Sequence, residues 1–505
     1  IFEGESYIEF AVLWMVCHCT RVHTDGQPPE QCWLEKWQKQ SQSVAVAALD
    51  TLRPNVTRTI EALGQGFIDA NAELRDKLST GTLGVQAYYH QLQRLAYRLI
   101  FLFVVEDRGL LLAPGASQAS RDRYRRFYSL MHLRRLSAIS KGTKHHDLWE
   151  GVKLVMSALG RPEGCAQLDI LPMGGFLWSD EIMPDLQGLR LRNADLLEAI
   201  RRLAFTRYNF EMRPIDWRHL GAQELGSVYE SLLELHPELT QTTFELKQVQ
   251  GNDRKTTGSY YTPTQLIESL LETALDPVID QAVRDADNPE AALLDLKICD
   301  PACGSGHFLL AAARRVAKRL AQIRTGDTEP APAEQRRALR DVAGRCIYGI
   351  DINAMSLELC KVGLWLETHE AGKPLHFLDH HLVCANSLLG TTAEHIKKGI
   401  PAEAYAALEG DDKKACTNLK KRNAKQFEMM LSNSLLKDQF EQDLKKLAEL
   451  VRTVKFDEMP ADTMADMEKR EEAFCNWRAS AEWQKKKRLY DMWTAAFVLP
   501  RYFPQ

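Results

Sequence analysis

The sequence predicts an α/β fold with its parallel sheet in the middle of the chain, a mostly helical region before it and a charged helical segment after it. Three observations carry that prediction. Leu294–Leu310, LDLKICDPACGSGHFLL, reads as a short apolar strand that breaks at Asp300-Pro301 into a glycine turn and then opens a helix at His307. Arg345–Ile350, RCIYGI, reads as a second strand ending at Asp351, separated from the first by enough chain for a crossover helix. On either side, apolar residues recur at helical rather than strand spacing.

The first region, residues 1–225, is read as a helical domain. Glu9–Val22 and Leu92–Val105 are apolar almost all round and are expected as core helices of one bundle. Between them Val44–Leu78 keeps Leu49, Leu52, Ile60, Leu63 and Phe67 at helical spacing, with Pro54 as an expected break. Arg121–Arg135, RDRYRRFYSLMHLRR, interleaves arginines with Tyr124, Phe127, Tyr128 and His132. Such a helix can track phosphates and stack on bases, or can simply be an amphipathic helix with a solvated basic side. Cys17, His18, Cys19, His23 and Cys32 lack the spacing of the common zinc patterns and are read as buried thiols. No acidic pair followed by lysine stands out as a nuclease site for Mg²⁺.

Composition sets outer limits. A length of 505 residues calls for two or three domains, and 45% hydrophobic with 26% charged residues is ordinary for a globular protein. A net charge of −4 means that any nucleic-acid contact rests on local basic patches. No apolar run nears the roughly 20 residues of a membrane span, so no membrane partner is expected. The eleven scattered cysteines suit free thiols in a reducing cytoplasm. The start IFEGESYIEF, without methionine, reads as mid-protein, and a fragment is expected.

From Ala222 the sheet-bearing region, residues 226–390, takes shape. Ala222–Leu235 is a helix with Leu225, Val228, Tyr229, Leu232 and Leu233 inside, followed by a polar loop, Gln248–Gly258, and a helix from Gln265 with Leu266, Ile267, Leu270 and Leu271 on its apolar side. Glycines at 304 and 306 allow close backbone approach of a ligand, and the amides at the start of the next helix favour an electronegative group. A dinucleotide fingerprint would need a third glycine where Leu309 stands, and the interval to Asp351 is far longer than the ~20 residues of such a fold, so a pyrophosphate cofactor fits badly. The following helix turns Leu309, Ala313, Val316, Leu320 and Ile323 toward the sheet; after a Pro-rich loop and the second strand come a helix at 353–367 and a third strand, Leu382–Leu389, closing at Asn386.

The string DPACGSGHFLL resembles motif I of the adenine-specific DNA methyltransferases, the loop that holds S-adenosylmethionine. GSYYTPT, about forty residues earlier, resembles their motif X, GIDIN resembles motif II, and Asn386-Ser387-Leu388 resembles the motif III variant of the large type IIG and phage-defence (BREX and DISARM) methylases. The resemblance implies a class I, Rossmann-like S-adenosylmethionine-dependent methyltransferase fold. It implies that Tyr261, Thr262 and Pro263 cover the methionine end of the cofactor, that Asp300, Pro301, Ala302, Gly304, Gly306 and Phe308 form its loop, and that Asp351 takes the ribose diol. Ile352 is then the apolar contact to the adenine ring, with Asn386 and Leu388 at its amino edge. Asn386 as a plain strand-end cap is the competing reading. Double-stranded DNA is the implied partner, with other restriction or phage-defence subunits alongside.

The catalytic motif IV of that family, Asn-Pro-Pro-aromatic, holds the exocyclic amine of an extruded adenine and stacks on the base. It is absent from the 505 residues; Asn288-Pro289 runs on into Glu290 and starts a helix. Residues 391–498 are instead a charged helical insertion, with Asp438–Val454 as one arm, Ala465–Trp477 and Ala481–Phe497 as another, and Lys485–Lys487 toward solvent. Residues 499–505 are expected to begin the part bearing motif IV. The parent enzyme is therefore expected to methylate adenine in DNA, while this polypeptide binds cofactor at most weakly and transfers no methyl group. A cofactor-binding partner subunit, an RNA or protein methyltransferase and, remotely, an NAD oxidoreductase are the alternatives.

Overall fold

The computed structural model describes residues 7–18, 32–208, 211–218, 220, 226, 235–240, 243–248, 262–449 and 456–499. Of the expected helix 222–235 only Gly226 and Leu235 are among these residues, and Leu235 is in a strand instead; Tyr261 lies outside them. No described helix is long and apolar enough to cross a membrane.

The N-terminal region holds helices α1 (Tyr7–Cys17), α2 (Trp33–Ala70), α3 (Ala72–Ser79), α4 (Val85–Asp107), α5 (Gln118–Phe127), α6 (Leu130–Ile139), α7 (Asp147–Gly160) and α8 (Asn193–Ala204). Because Leu92–Val105 is apolar almost all round, that part of α4 can satisfy itself only by being enclosed, and its residues from Leu95 through Val105 are buried. Leu52, Ile60, Leu63 and Phe67 of α2 join the same core, as their spacing predicts. Pro54 does not break α2, which runs unbroken from Trp33 to Ala70. Packing on α8 and α4 holds the helix through the lost hydrogen bond. The other core expectation for this region fails at α1: Phe10, Trp14 and Met15 are more than half exposed, since no described element covers that helix.

The Arg121–Arg135 stretch is two helices rather than one. Tyr128 ends α5, and the Ser129 hydroxyl caps α6 by accepting the His132 amide at 3.1 Å. Two hairpins were also hidden in the sequence. Strands β1 (Phe205–Tyr208) and β2 (Glu211–Pro214) pair antiparallel, as do β3 (Leu235–Leu239) and β4 (Phe244–Gln248). Pro237 is tolerated because β3 is an edge, while α2 side chains serve the far edge of β4: Gln65 and Glu61 accept the Phe244 and Leu246 amides.

The central region contains α9 (Thr264–Ala274), α10 (Asp276–Asp285), α11 (Pro289–Leu294), β5 (Ile298–Asp300), α12 (His307–Thr325), α13 (Pro332–Ala343), β6 (Ile347–Asp351), α14 (Ala354–Thr368) and β7 (Leu382–Cys384). The three strands form one parallel sheet in the order β5-β6-β7, with Asp300 opposite Gly349 and Asp351 opposite Cys384. The carboxylates of Asp300 and Asp351 thus stand at the carboxyl ends of neighbouring strands. Two strand boundaries differ from expectation. Leu294 ends α11, a helix begun by Pro289 and capped by the Asn288 side chain, so β5 starts only at Ile298. β7 stops at Cys384, because Asn386 turns the chain away.

The last region comprises α15 (Ala393–Lys397), α16 (Lys413–Ser432), α17 (Ser434–Glu449), α18 (Met464–Ala479) and α19 (Ala481–Val498). The last two match the expected second arm. The side chains of Leu444 and Leu447, and residues 450–455, lie outside the description. An aromatic cluster of Phe377, His380, Phe456, Phe474 and Trp477 fastens α18 to the chain leading into β7.

Candidate cofactor cleft

Parallel strands that all point their carboxyl ends one way leave a crevice where the loops diverge. In this chain that crevice is a cleft of about 780 Å³ between the ends of β5, β6 and β7 and the pair α9–α10. Its floor is the turn 301–306. Cys303 is fastened to the sheet by its amide, which donates to the Ile350 carbonyl at 2.9 Å, and Gly306 closes the turn by donating to the Cys303 carbonyl at 2.8 Å. Both glycines have positive φ, +52° at Gly304 and +86° at Gly306, which only glycine adopts without strain.

The two glycines differ in what they face. A Cβ on Gly304 would meet nothing within 4 Å, so its open side looks into the cleft; a Cβ on Gly306 would run into the Cys360 thiol. Gly304 is accordingly part of the wall, whereas Gly306 stands behind it and lets α14 pack against the turn.

Asp351 links the second strand to this turn. One carboxylate oxygen accepts the Gly304 amide and the other accepts the Asn353 amide, both at 2.8 Å. A carboxylate has about four acceptor sites, so capacity remains on the cleft side. Asp300 accepts the Ala302 amide at 3.0 Å. Burial pushes its carboxyl above the usual range, the Ala302 hydrogen bond works against that, and the charge of Asp351 adds to it. Among the described residues neither carboxylate is in an ion pair. Lys297, also in the wall, donates to the Arg345 carbonyl at 2.7 Å, away from them. The cleft is therefore anionic and suited to a ligand bearing positive charge.

Of the positions the sequence singled out, Thr262, Asp300, Pro301, Ala302, Gly304, Phe308, Asp351, Ile352, Asn386 and Leu388 are brought together in the wall. Pro263 is not in it; it is exposed as the N-cap of α9, where its carbonyl accepts the Leu266 amide. Ile352 and Leu388 stand at the rim, 62% and 96% exposed. The Asn386 side-chain oxygen accepts the Leu388 amide at 3.0 Å, so the cap-like role weighed for it is present in a turn beyond the strand. Sequence reasoning missed the wall made by α9 and α10, where Leu270, Leu271, Ala274 and Val278 line the cleft and Ile267 and Leu271 pack on Ala312. The signal was there: apolar residues of α9 occupy more of its circumference than one packing face needs. His307 and Ser305, both buried in the wall, were also passed over.

Comparison with known proteins bears on the same region. The chain is 24% identical over 277 residues to a putative type II restriction enzyme and methyltransferase of Methanocaldococcus jannaschii, covering 46% of this chain and 22% of that protein. It is 33% identical over 144 residues to the adenine-specific methyltransferase PglX of Streptomyces coelicolor, covering 28% of this chain and 9% of that protein. It thus spans less than a quarter of the length of either curated relative. Among solved structures, the type IIL restriction-modification enzyme MmeI in complex with DNA aligns with a TM-score of 0.39 at 17% identity, over 66% of this chain and 40% of that one. The sequence profile of one family covers half the chain, residues 224–476, and takes in the glycine turn, both carboxylates and most of α18. By that match the chain belongs to the N-6 DNA Methylase family, whose members use S-adenosylmethionine as methyl donor.

Proposed function

We propose that the cleft binds S-adenosylmethionine, and that the longer protein to which this chain corresponds in part methylates adenine N6 in duplex DNA in a restriction-modification or phage-defence system. The observation that carries the reading is the pairing of an open glycine turn with two carboxylates that have no cationic partner among the described residues. Three parallel strands with helical crossovers support the class I, Rossmann-like form of the fold. The names of the relatives support the restriction or defence setting.

The residues fit the cofactor chemically. Asp351 keeps acceptor capacity for the ribose hydroxyls, and the charges of Asp300 and Asp351 complement its sulfonium and ammonium groups. Ile352 supplies apolar rim surface for a flat base, and the Asn386 amide, with Leu388 beside it, can meet the exocyclic edge of that base. Thr262, Pro301, Ala302 and Phe308 close the remaining wall, with Tyr261 and Pro263 beside it in the chain. When bound, S-adenosylmethionine supplies an electrophilic methyl group. This chain's residues hold and orient it, and with no Asn-Pro-Pro-aromatic sequence they do not position an adenine for attack.

Calorimetric titration with S-adenosylmethionine is the test. The chain is expected to bind it and not NAD, and Asp351→Ala to weaken binding by about tenfold or more, some 1.4 kcal/mol. A radiolabelled methyl-transfer assay on duplex DNA should give no transfer. Absence of binding, or an Asp351→Ala variant that binds as tightly as the parent, overturns the cofactor assignment; robust transfer overturns the non-catalytic part.

A further inference from the structure

The arginine-rich stretch that the cofactor reading leaves unexplained has a definite place in the fold. Between Arg121 and Lys144 there are eight lysines and arginines and one acidic residue, in a chain whose net charge is −4. Arg123, Arg125, Arg126 and Arg135 are exposed, as are Lys141 and Lys144 in the following loop. Among the described residues Arg134 is the member of the set in an ion pair, with Asp107 at 3.3 Å.

Next to α5 and α6 runs a groove of about 560 Å³, with Arg108, Arg121, Arg125 and Arg218 in its wall. Its acidic residues are turned to internal partners. Glu106 accepts the Tyr124 hydroxyl and the Leu130 and Met131 amides, Asp107 holds Arg134, and Asp216 accepts the Arg218 amide at 3.0 Å. Arg108 donates to the Leu366 carbonyl at 2.8 Å in the last turn of α14. Burial holds its guanidinium below the ordinary range; Glu367 opposes that, and Arg336 and Arg314 are near enough to add to it. Arg314 is itself paired with Glu367 at 3.0 Å, so the positive charge is concentrated on the helical region. Apolar and aromatic side chains are interspersed: Phe127 is 60% exposed, with the Arg126 guanidinium 5.6 Å from its ring, and Ile139 is 84% exposed.

We propose that this surface is a DNA-contacting face, which grips the phosphate backbone of duplex DNA without reading its sequence, at a place separate from the cofactor cleft. The N-terminus of α14 borders the cleft and its last turn borders the groove, so the two are one 15-residue helix apart, roughly 20 Å. A rigid array of guanidinia with its carboxylates engaged elsewhere complements a phosphate chain, and counterion release makes such contacts favourable. The choice of DNA over another polyanion rests on the family to which the chain belongs; the surface itself does not depend on cofactor binding.

The test is fluorescence anisotropy of a labelled duplex against the full chain, across about 50 to 200 mM salt. Arg125→Ala/Arg126→Ala/Arg135→Ala should weaken binding about tenfold or more, equally for unrelated sequences, and lower the slope of log affinity against log salt by up to about 0.9 per contact removed. Lys420→Ala/Lys421→Ala/Lys425→Ala removes the same charge from exposed positions of α16 and should stay within about twofold of the parent. Lys141→Ala/Lys144→Ala gives a second reading should the arginine variant fail to fold. Equal effects of the α6-side and α16 variants, or preferred binding of single-stranded RNA or polyglutamate over duplex DNA, overturn the proposal. Titration with S-adenosylmethionine in parallel separates the two readings: loss of duplex binding in a variant that binds cofactor as the parent does supports this face, and a parent that binds duplex but no cofactor sinks the cleft assignment alone.

Discussion

Gly304 and Gly306 are two residues apart with the same left-handed backbone, yet substitution should separate them by what they control. Alanine costs about 1–2 kcal/mol at either for the backbone alone. At Gly304 the added methyl projects into the cleft, so Gly304→Ala should lose cofactor affinity out of proportion to its fall in stability. At Gly306 it strikes the Cys360 sulfur, so Gly306→Ala should lose a further 1–3 kcal/mol or so of stability by overpacking, partly restored by Cys360→Ala. Urea melts with titrations of S-adenosylmethionine distinguish the two, and equal losses of affinity per unit of stability would count against the geometry. At this scale the sequence was legible, because a glycine turn and an acidic strand end are written in residue type. Which glycine faces the ligand was not legible: that depends on Cys360, more than fifty residues away and brought there by α14.

The elements were legible where one periodicity ruled and illegible where tertiary partners overruled it. α4 and α12 follow from their spacing; the β3–β4 hairpin does not, since Pro237 argues against a strand until Gln65 and Glu61 of α2 are seen to serve its partner. The division of the arginine-rich stretch into α5 and α6 was hidden for the same reason. It depends on Glu106, at the end of α4, whose buried carboxyl takes the Tyr124 hydroxyl at 2.6 Å and the first amides of α6. Burial dominates there and lifts the Glu106 carboxyl to about 7, despite the three hydrogen bonds that work against it. A carboxyl raised in the folded state favours folding when protonated. This contribution is full below the unfolded value near 4.5 and is lost as pH rises through about 7. The loss amounts to about 3 kcal/mol over that window. Glu106→Gln keeps an acceptor without the charge, so its stability should vary less between about pH 4.5 and 7 than that of the parent. Chemical denaturation at a series of pH values reads this directly, and parallel curves for the two proteins would remove Glu106 from the account.

At the scale of the molecule, the helical region and the sheet region meet where α4 lies along α14, through residues too far apart in sequence for any local pattern to pair them. Arg94 and Glu358, 264 positions apart, form a two-pronged pair at 3.0 and 2.7 Å with both side chains mostly buried. Beside it Trp365 of α14 lies 5.3 Å from Phe176, and the Leu375 amide donates to the Met173 carbonyl at 2.7 Å. Removing one partner of a buried pair costs more than the pair contributes, because the other charge is left without its counter-charge. Glu358→Ala should therefore lower stability by roughly 1–3 kcal/mol, and Arg94→Met/Glu358→Ala should recover part of that, since the residual cost lies in the stranded guanidinium. If α4 and α14 are what make the two regions unfold together, Glu358→Ala should also broaden or split the calorimetric melt. S-adenosylmethionine should then raise the step that belongs to the sheet and leave the helical step in place. A single sharp transition, moved as a whole by the cofactor and unchanged by the second substitution, would mean that the regions are coupled through the Phe176–Trp365 packing instead of through this ion pair.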